Sequence, residues 1–504
     1  MRTTWVKKLD GGLSRLTRDL LRTMFIEDKI ATDGVSLILD RELPPMIVKI
    51  SLCSILGDED ALNDMFFTLG ASGICPCGVL CSVTNKPPPT DTDNNIPSMS
   101  ELDPEIQDIS CADLALCHEL CDKDVWARCD QLEACIDKKV LDEKERCTGI
   151  KFNPSTLLFC KELRVFVGPS STSTGDPMHI IFANGILSME IMLCMASVRE
   201  EVDAYFEDVR NWSDEKKYSP KTTCFSKYRE EHSHATLKVQ ASELISDYPL
   251  LRAYLVTVYG VNATEPHIVS ILLLFEICDF IRILLKHPPQ CEVQEISHKL
   301  QGLCKKYIEA FVSAYGRDMV RFKHHQLLHF PKQLGKLGVM LSCWVTERKN
   351  KHAKSGMHHI CDPMHIESAG LARLTNNQVR MLETPGWLTT LTASTTPFPE
   401  LCASFPATRV DLSPSMRWNG VSLMNKDVTF LDLAQTYLVI VVACLRGDQS
   451  YAIIVKCCRR LTTSAIASTW EIDPDAKIYR LVNERLFKPA FYRYVDAAHI
   501  EVLY

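Results

Sequence analysis

Between residues 185 and 315 the chain carries four long segments with helical periodicity, one after another. Apolar residues recur there at every third or fourth position, which predicts helices near 186–210, 236–258, 265–286 and 292–315. The third segment begins with Thr264-Glu265-Pro266, a typical helix start with proline in the first turn. We interpret this block as an all-helical insertion or subdomain that separates the sequence elements on either side of it.

The most apolar stretch of the block, residues 268–285, contains Glu276, Asp279 and Arg282. Three charges near the centre of a membrane span would be costly in lipid. The stretch therefore predicts a buried helix, and we expect no membrane association.

Composition limits the class of protein. The 504 residues exceed what one hydrophobic core usually organises, so two or three domains are expected. A net charge of −7 and a pI of about 6.1 argue against a protein that is basic overall, and leave room only for a local basic face. The 22 cysteines accompany a charged, amphipathic N-terminus without an apolar leader. We therefore expect reduced intracellular thiols, a few of them as metal ligands, rather than a disulfide framework.

The flanking patterns are mixed α and β before the helical block and β-rich near the end of the chain. Apolar spacing predicts helices at 13–25, 111–146 and 341–354, and strands at 45–56 and 163–167. Beyond Pro397, strands are predicted at 428–430, 437–445, 451–457 and 478–482. The predicted strand at 45–56 leads to Asp58, and a Ser/Thr-rich turn at 170–175 leads to Asp176. A small, β-barrel-like C-terminal domain fits the β-rich part best.

Three acidic residues occur in order, each in a distinctive local sequence. The first setting is Gly57-Asp58-Glu59-Asp60-Ala61, followed by a Gly-rich turn that carries Cys75, Cys77 and Cys81. The second is Gly175-Asp176-Pro177-Met178-His179. The third is His325-Gln326-Leu327-Leu328-His329-Phe330-Pro331, which runs on through Gly338 and Trp344 to Glu347-Arg348-Lys349. Together these elements resemble the CACTA-like DDE/D transposases, including the transposon-derived proteins expanded in protist genomes.

The resemblance covers residues 40–355 and implies an α/β fold with an RNase H-like core. That core would comprise residues 36–185 and 316–396, interrupted by the all-helical insertion 186–315. A helical segment (1–35) would precede it, and the β-rich domain (397–504) would follow it. Two features depart from the family pattern: the cysteine pair is spaced Cys77-x-x-x-Cys81, with Cys75 in addition, and Pro177 replaces a bulky residue.

By this resemblance Asp58 would bridge two Mg²⁺ (or Mn²⁺) ions, Asp176 would hold one of them and Glu347 the other. Two divalent ions roughly 3.5–4 Å apart can stabilise both the attacking and the leaving oxygen of a phosphodiester. Carboxylates are the ligands that Mg²⁺ prefers. Asp60 competes with Asp58 for the first position, but Asp58 has the Asp-x-x-Ala spacing. Asp60, His179, His325 and His329 would line the active site.

The cysteines and histidines leave two interpretations open. Cys75, Cys77 and Cys81 could join a histidine such as His179 or His325 in a structural Zn²⁺ site, or could be buried free thiols. His325 and His329 share a helical face and could bind zinc, line the active-site wall or pack in the core. No glutamate follows the first histidine in the His-Glu-x-x-His manner, so a metalloprotease is excluded. We interpret Cys117 and Cys121, in a predicted helix, as core residues.

Residues 317–354 carry nine Lys and Arg against two acidic residues, within an acidic protein. A solvated helix face is the ordinary meaning of such a run. Because this run brackets Glu347, it also predicts contact with a DNA backbone. The candidate residues are Arg321, Lys323, Lys332, Arg348, Lys349, Lys351 and Lys354.

The leading functional hypothesis is a transposase-derived protein that cleaves double-stranded DNA and transfers strands in a metal-dependent reaction. The first alternative is a domesticated, inactive relic that binds DNA or protein, which the acidic net charge favours. The second is a scaffold in which the acids are incidental. The resemblance also implies nuclear localisation and a homo-oligomer, since transposases generally act as dimers or larger assemblies.

Overall fold

The computed structural model divides the chain into two compact units. The first comprises residues 1–206, 221–248 and 263–346, and the second comprises 207–220, 249–262 and 347–504. Within the first 344 positions the structure describes residues 6, 8–37, 44–85, 107–198, 240–260, 262–286, 289 and 292–344. Beyond them it describes 411–413, 415–418, 421–424, 428–432, 436–446, 451–463, 467–472, 478–481, 487–489, 491–494 and 499–503.

The first elements of the first unit are helix α1 and a small hairpin, and α1 contributes to a hydrophobic core. Helix α1 spans Gly12–Arg22 and continues as a π-helical turn, Thr23–Glu27. Strands β1 (Val35–Leu37) and β2 (Met46–Val48) pair antiparallel. Leu21 and Phe25 pack into a core cluster with residues from later in the unit, such as Phe66, Leu132 and Leu158.

Two short parallel strands bring distant parts of the first unit together. Strand β3 (Ile55–Gly57) pairs in parallel with β4 (Ser173–Gly175), with Gly57 opposite Gly175. Helix α2 (Glu59–Phe66) begins directly after β3. Because parallel strands end at the same edge, the residues that follow them, Asp58 and Asp176, emerge side by side.

The segment between these strands is helical and differs from the predicted pattern in two places. The predicted helix at 111–146 consists of a 3-10 turn, Leu114–Leu116, and the helices α3 (Asp122–Glu133) and α4 (Lys138–Thr148). Residues 117–121, predicted as helical, are non-helical, and Glu119 forms a bridge with Cys81.

The predicted strand at 163–167 is also wrong. Residues Lys161–Val165 form a 3-10 helix, and the strand lies later, after the short helix α5 (Pro169–Thr172). Leu163 and Val167 are both buried, whereas Val165 is 82% exposed. Burial at positions four apart satisfies a helical turn, whereas a strand buries every second residue.

Each of the four predicted helical segments overlaps a helix among its described residues, while 199–210 and 236–239 lie outside the described residues. The helices are α6 (Ile186–Ser197), α7 (Ala241–Tyr259), α8 (Pro266–Lys286) and α9 (Val293–Tyr315). Helix α8 starts at the proline that marked its start in the sequence, and packs against α6 and α9. Two short helices follow, α10 (Phe322–Leu327) and α11 (Phe330–Leu337).

One described segment, Met178–Ser197, is long and apolar enough to cross a membrane. Of its most apolar window, 67% is buried inside the protein, and it contains the buried carboxylate Glu190. A core helix has the same composition, so the segment gives no argument for a membrane.

The described strands of the second unit form antiparallel sheets. One sheet contains β5 (Asp411–Ser413), β8 (Val428–Asp432), β9 (Thr436–Arg446), β10 (Tyr451–Cys457), β13 (Ile478–Leu481) and β14 (Phe487–Pro489). A second contains β11 (Arg459–Thr463), β12 (Ala467–Glu471), β15 (Phe491–Tyr494) and β16 (His499–Leu503), and β6 (Ser415–Trp418) pairs with β7 (Val421–Met424). Each of the four predicted strand segments overlaps one of these strands, and two of the strands, β8 and β9, extend beyond the predicted bounds.

The RNase H-like core stays a prediction. Among the described residues of the first unit, the strands form only the β1–β2 hairpin and the β3–β4 parallel pair. The parallel pair places the positions after its two strands, Asp58 and Asp176, at one edge. Of the helix predicted at 341–354, residues 341–343 are non-helical, and everything beyond Trp344, Glu347 included, lies outside the described residues.

Candidate functional site

Asp58 stands where strand β3 ends and helix α2 begins. Its Oδ1 accepts a hydrogen bond from the Ala61 amide at 2.7 Å, so Asp58 is the N-cap of α2. An N-cap uses one carboxylate oxygen and leaves the other free for a second partner. The side chain is 38% exposed and therefore accessible to a ligand.

Asp176 occupies the equivalent position after strand β4 and is fully buried. Its Oδ1 accepts from the backbone amides of Met178 at 3.2 Å and Cys343 at 2.9 Å. Its Oδ2 lies 2.5 Å from Nδ1 of His179. Burial opposes ionisation, but the hydrogen bonds from His179 and the Cys343 amide hold the pKa of Asp176 below its usual value.

The imidazole of His179 lies between the two aspartates. Its Nδ1 faces Asp176, and its Nε2 lies 3.9 Å from Oδ2 of Asp58. The hydrogen bond to Asp176 raises the pKa of His179. The two strand-end carboxylates and this histidine therefore form one cluster.

A second cluster is built from two cysteines and two histidines that are far apart in sequence. Nε2 of His325 lies 3.0 Å from Sγ of Cys81, and Nε2 of His329 lies 3.4 Å from Sγ of Cys77. The two Nε2 atoms are 3.0 Å apart, and all four ligand atoms lie within 4.8 Å of one another. Tetrahedral zinc with two sulfur and two nitrogen ligands requires separations of roughly 3.3–3.8 Å. Two of the separations, at 3.0 Å, are shorter than this range, so the donors are candidate ligands of one ion that would have to move apart slightly to hold zinc.

All four side chains of this Cys/His cluster are buried. A hydrogen bond from Cys81 and the neighbouring histidines hold the pKa of the Cys77 thiol well below its usual value. Burial lowers the pKa of His325. A thiolate and a neutral imidazole are the forms that bind metal.

The local sequence explains how each half of the Cys/His cluster forms. His325 lies in α10 and His329 immediately precedes α11, so their four-residue spacing places both rings on one side. Cys77 and Cys81 lie on the turn after Gly73, where the Cys81 amide donates to the Cys77 carbonyl at 3.1 Å. This turn packs against Gly149, which has a φ of +72° and lies so close to the Cys75 carbonyl that a Cβ would be 2.1 Å from its oxygen.

The structure brings together part of each predicted set. Asp58, Asp176 and His179 meet, as do Cys77, Cys81, His325 and His329. Cys75 is outside the second set, because its thiol donates to the Cys81 carbonyl and burial raises its pKa to about 11. Asp60 is exposed in the first turn of α2. The Cys343 amide contact with Asp176 had no signal in the sequence, because a backbone donor leaves no residue pattern.

The predicted DNA contacts fall into three groups. Arg321 is exposed, whereas the ammonium of Lys332 pairs with Glu119 at 2.6 Å. Lys323 is half-buried and donates to two backbone carbonyls. Glu347 and four basic residues lie outside the described residues: Arg348, Lys349, Lys351 and Lys354.

Comparison of the chain with models of protein families, with curated proteins and with solved structures finds no match.

Proposed function

We propose that this chain is a metal-dependent DNA-processing protein of the transposase type, which cleaves phosphodiesters and transfers strands. The observation that carries the proposal is the parallel pairing of β3 with β4, which brings Asp58 and Asp176 to one edge with His179 between them. Two carboxylates on adjacent strand ends are the minimum ligand set for divalent ions at a scissile phosphate.

The role of each residue follows from its surroundings. Asp58, half-exposed, offers the oxygen that the helix cap does not use. Asp176 is ionised and held in a fixed orientation by two backbone amides, so it presents a rigid ligand. Glu347, the third proposed ligand, is supported by the sequence alone. Mg²⁺ or Mn²⁺ bound here would supply charge neutralisation and an activated water or 3′-hydroxyl.

The Cys/His cluster supports a second part of the proposal, a structural zinc ion held by Cys77, Cys81, His325 and His329. Four protein ligands leave no open position, which is the pattern of structural rather than catalytic zinc. The ion would link the turn that carries Cys77 and Cys81 to the segment α10–α11, which is far away in sequence.

The alternative is an inactive relic that binds DNA or protein without cutting it. A specific observation favours it: Asp176 is fully buried and both of its oxygens already have partners. A metal ion there would have to use the one remaining lone pair of Oδ2, because two amides and the ring of His179 occupy the other acceptor positions.

A nicking assay on supercoiled DNA, with and without Mg²⁺ or Mn²⁺, tests the proposal. The informative variants are Asp58→Asn, Asp176→Asn and Glu347→Gln. Asparagine caps a helix as well as aspartate does, so Asp58→Asn removes the metal ligand and keeps α2. Asp64→Asn, an exposed position in α2, is the matched control, and Asp60→Asn decides between the two candidate first acids.

The proposal predicts metal-dependent nicking that the Asp58, Asp176 and Glu347 variants abolish and the Asp64 variant keeps. Loss in Asp60→Asn but not in Asp58→Asn would move the first ligand to Asp60. DNA binding without nicking in any metal would contradict the enzyme and support the relic.

A further inference from the structure

Lys323 makes an unusual set of contacts for a lysine in a basic segment. It lies in the first turn of α10, two residues before His325. Its Nζ donates to the carbonyl of His179 at 3.1 Å and to the carbonyl of Asn184 at 3.0 Å. The ammonium thus joins the helix that carries one Cys/His ligand to the segment that carries the acidic site.

The two carbonyls lie at the ends of a sharply folded turn. Residues Met178–Phe182 form a π-helical turn, and Asn184 has a φ of +49°, a left-handed conformation that is rare outside glycine. At Gly185 a Cβ would lie 2.3 Å from the Ile181 carbonyl carbon, so only glycine fits. Lys323 therefore donates a hydrogen bond to a carbonyl near each end of this turn.

The charges around Lys323 argue against a free phosphate-binding lysine. Burial lowers its pKa, while Glu59, Asp58 and Asp60 stabilise its charged form. To reach a phosphate, the ammonium would have to leave both carbonyls unpaired in a half-buried site, which is costly. A fixed cation that satisfies these groups is the more stable arrangement.

We infer that Lys323 is a positioning residue of the acidic site: it fixes the turn that carries His179, and couples that turn to the Cys/His cluster through α10. The inference rests on the proposed function in so far as the acidic site binds metal. Its structural part stands independently, since the turn can be observed without any metal.

The test compares Lys323→Met, Lys323→Arg and the control Lys306→Met in the full chain. Methionine keeps the length of the side chain without donors, whereas arginine keeps donors and charge. Lys306 is an exposed lysine in α9. Three quantities are measured: zinc content per chain, Mn²⁺ affinity by electron paramagnetic resonance, and hydrogen exchange of the amides in 178–185.

For Lys323→Met we expect amides in 178–185 to exchange about tenfold faster or more, and Mn²⁺ affinity to fall by about 10–100-fold, as for other groups that orient metal ligands. Zinc content should stay at the wild-type value. Lys323→Arg should recover most of both losses, and Lys306→Met should match the wild type.

Unchanged exchange in Lys323→Met would overturn the inference. So would Mn²⁺ binding equal to that of Lys306→Met, or equal losses in the Arg and Met variants. If the wild type binds no Mn²⁺, the proposed function fails. The hydrogen exchange of the amides in 178–185 then still decides whether Lys323 fixes this turn.

Discussion

Cys81 and His325 are 244 positions apart in the chain, yet Sγ of one lies 3.0 Å from Nε2 of the other. A metal that joins them would close a loop that contains α3 to α9. Closing a long loop with a metal restricts the unfolded chain, and metal-binding free energy becomes folding free energy.

The first prediction concerns this ion. The wild type should contain one zinc per chain, and Cys81→Ser should contain none. The variant should lose stability on the order of 3–5 kcal/mol, as when a structural metal is lost. Inductively coupled plasma mass spectrometry and urea unfolding give the two quantities. Cys53→Ser, at an exposed thiol, is the control. A zinc-free wild type, or equal stability of the two variants, would contradict the site.

The second prediction concerns Glu190, which is fully buried among α6, α8 and α9. Ser270 donates to its Oε1 at 2.6 Å and Tyr307 donates to its Oε2 at 2.7 Å. Burial nevertheless raises the pKa of Glu190 to about 7. Because the folded state then binds a proton more tightly than the unfolded state, the contribution of Glu190 to stability should be greatest below pH 4.5 and be lost as the pH rises through 7.

The pKa difference corresponds to about 3 kcal/mol of stability lost across this interval. Glu190→Gln, which cannot ionise, should remove that part of the pH dependence. Exposed Glu309→Gln in α9 should leave it unchanged. Urea unfolding at about pH 5 and about pH 8 measures the difference between variants. A wild-type pH dependence identical to that of Glu190→Gln would show that Glu190 is charged at little cost.

The sequence predicted those helices and strands whose start or length is determined by neighbouring residues. The proline at 266 marks the start of α8, and the long apolar run at 437–445 corresponds to β9 (Thr436–Arg446). Short segments were less predictable, because tertiary contacts decide their conformation. Residues 163–167 have enough apolar residues for a strand, but the core takes Leu163 and Val167 on one side of a helical turn.

The same holds for the candidate sites: residues with a local sequence signal could be predicted, and contacts between distant segments could not. Asp58 and Asp176 could be selected because each follows a predicted strand or turn. The pairing of Cys77 and Cys81 with His329 could not be predicted, because nothing in the spacing of one pair indicates its partner 248 positions away. The backbone donors to Asp176 and the carbonyls bound by Lys323 leave no trace in residue type.

The third prediction compares two glycines. Gly149 ends α4 in a left-handed conformation, and a Cβ there would be 2.1 Å from the Cys75 carbonyl oxygen. Gly302 lies within α9, and a Cβ added there would meet no other atom of the described residues within 4 Å. Gly149→Ala should therefore destabilise the first unit by about 2 kcal/mol or more, whereas Gly302→Ala should stabilise it by about 0.5–1 kcal/mol. Thermal and urea unfolding distinguish the two signs, and equal effects would contradict the packing around Cys75.

The last prediction separates two basic residues that the sequence treats alike. Arg321 is exposed, whereas Lys332 forms an ion pair with Glu119 at 2.6 Å. If the proposed DNA contact lies on this segment, Arg321→Ala should lower the affinity for duplex DNA and reduce the salt slope of binding by about one. Lys332→Ala should have less effect, because binding a phosphate would first require breaking the pair with Glu119.

Fluorescence anisotropy with a labelled duplex, between about 50 and 200 mM salt, gives the affinity and its slope. Lys306→Ala in α9 is the control. In Glu119→Gln the ammonium of Lys332 has lost its ion pair and could contact a phosphate. Adding Lys332→Ala to this variant should therefore reduce the salt slope by about as much as Arg321→Ala does in the wild type. A larger effect of Lys332→Ala than of Arg321→Ala in the wild-type background would mean that DNA displaces Glu119. The carboxylate would then compete with the phosphate for this lysine.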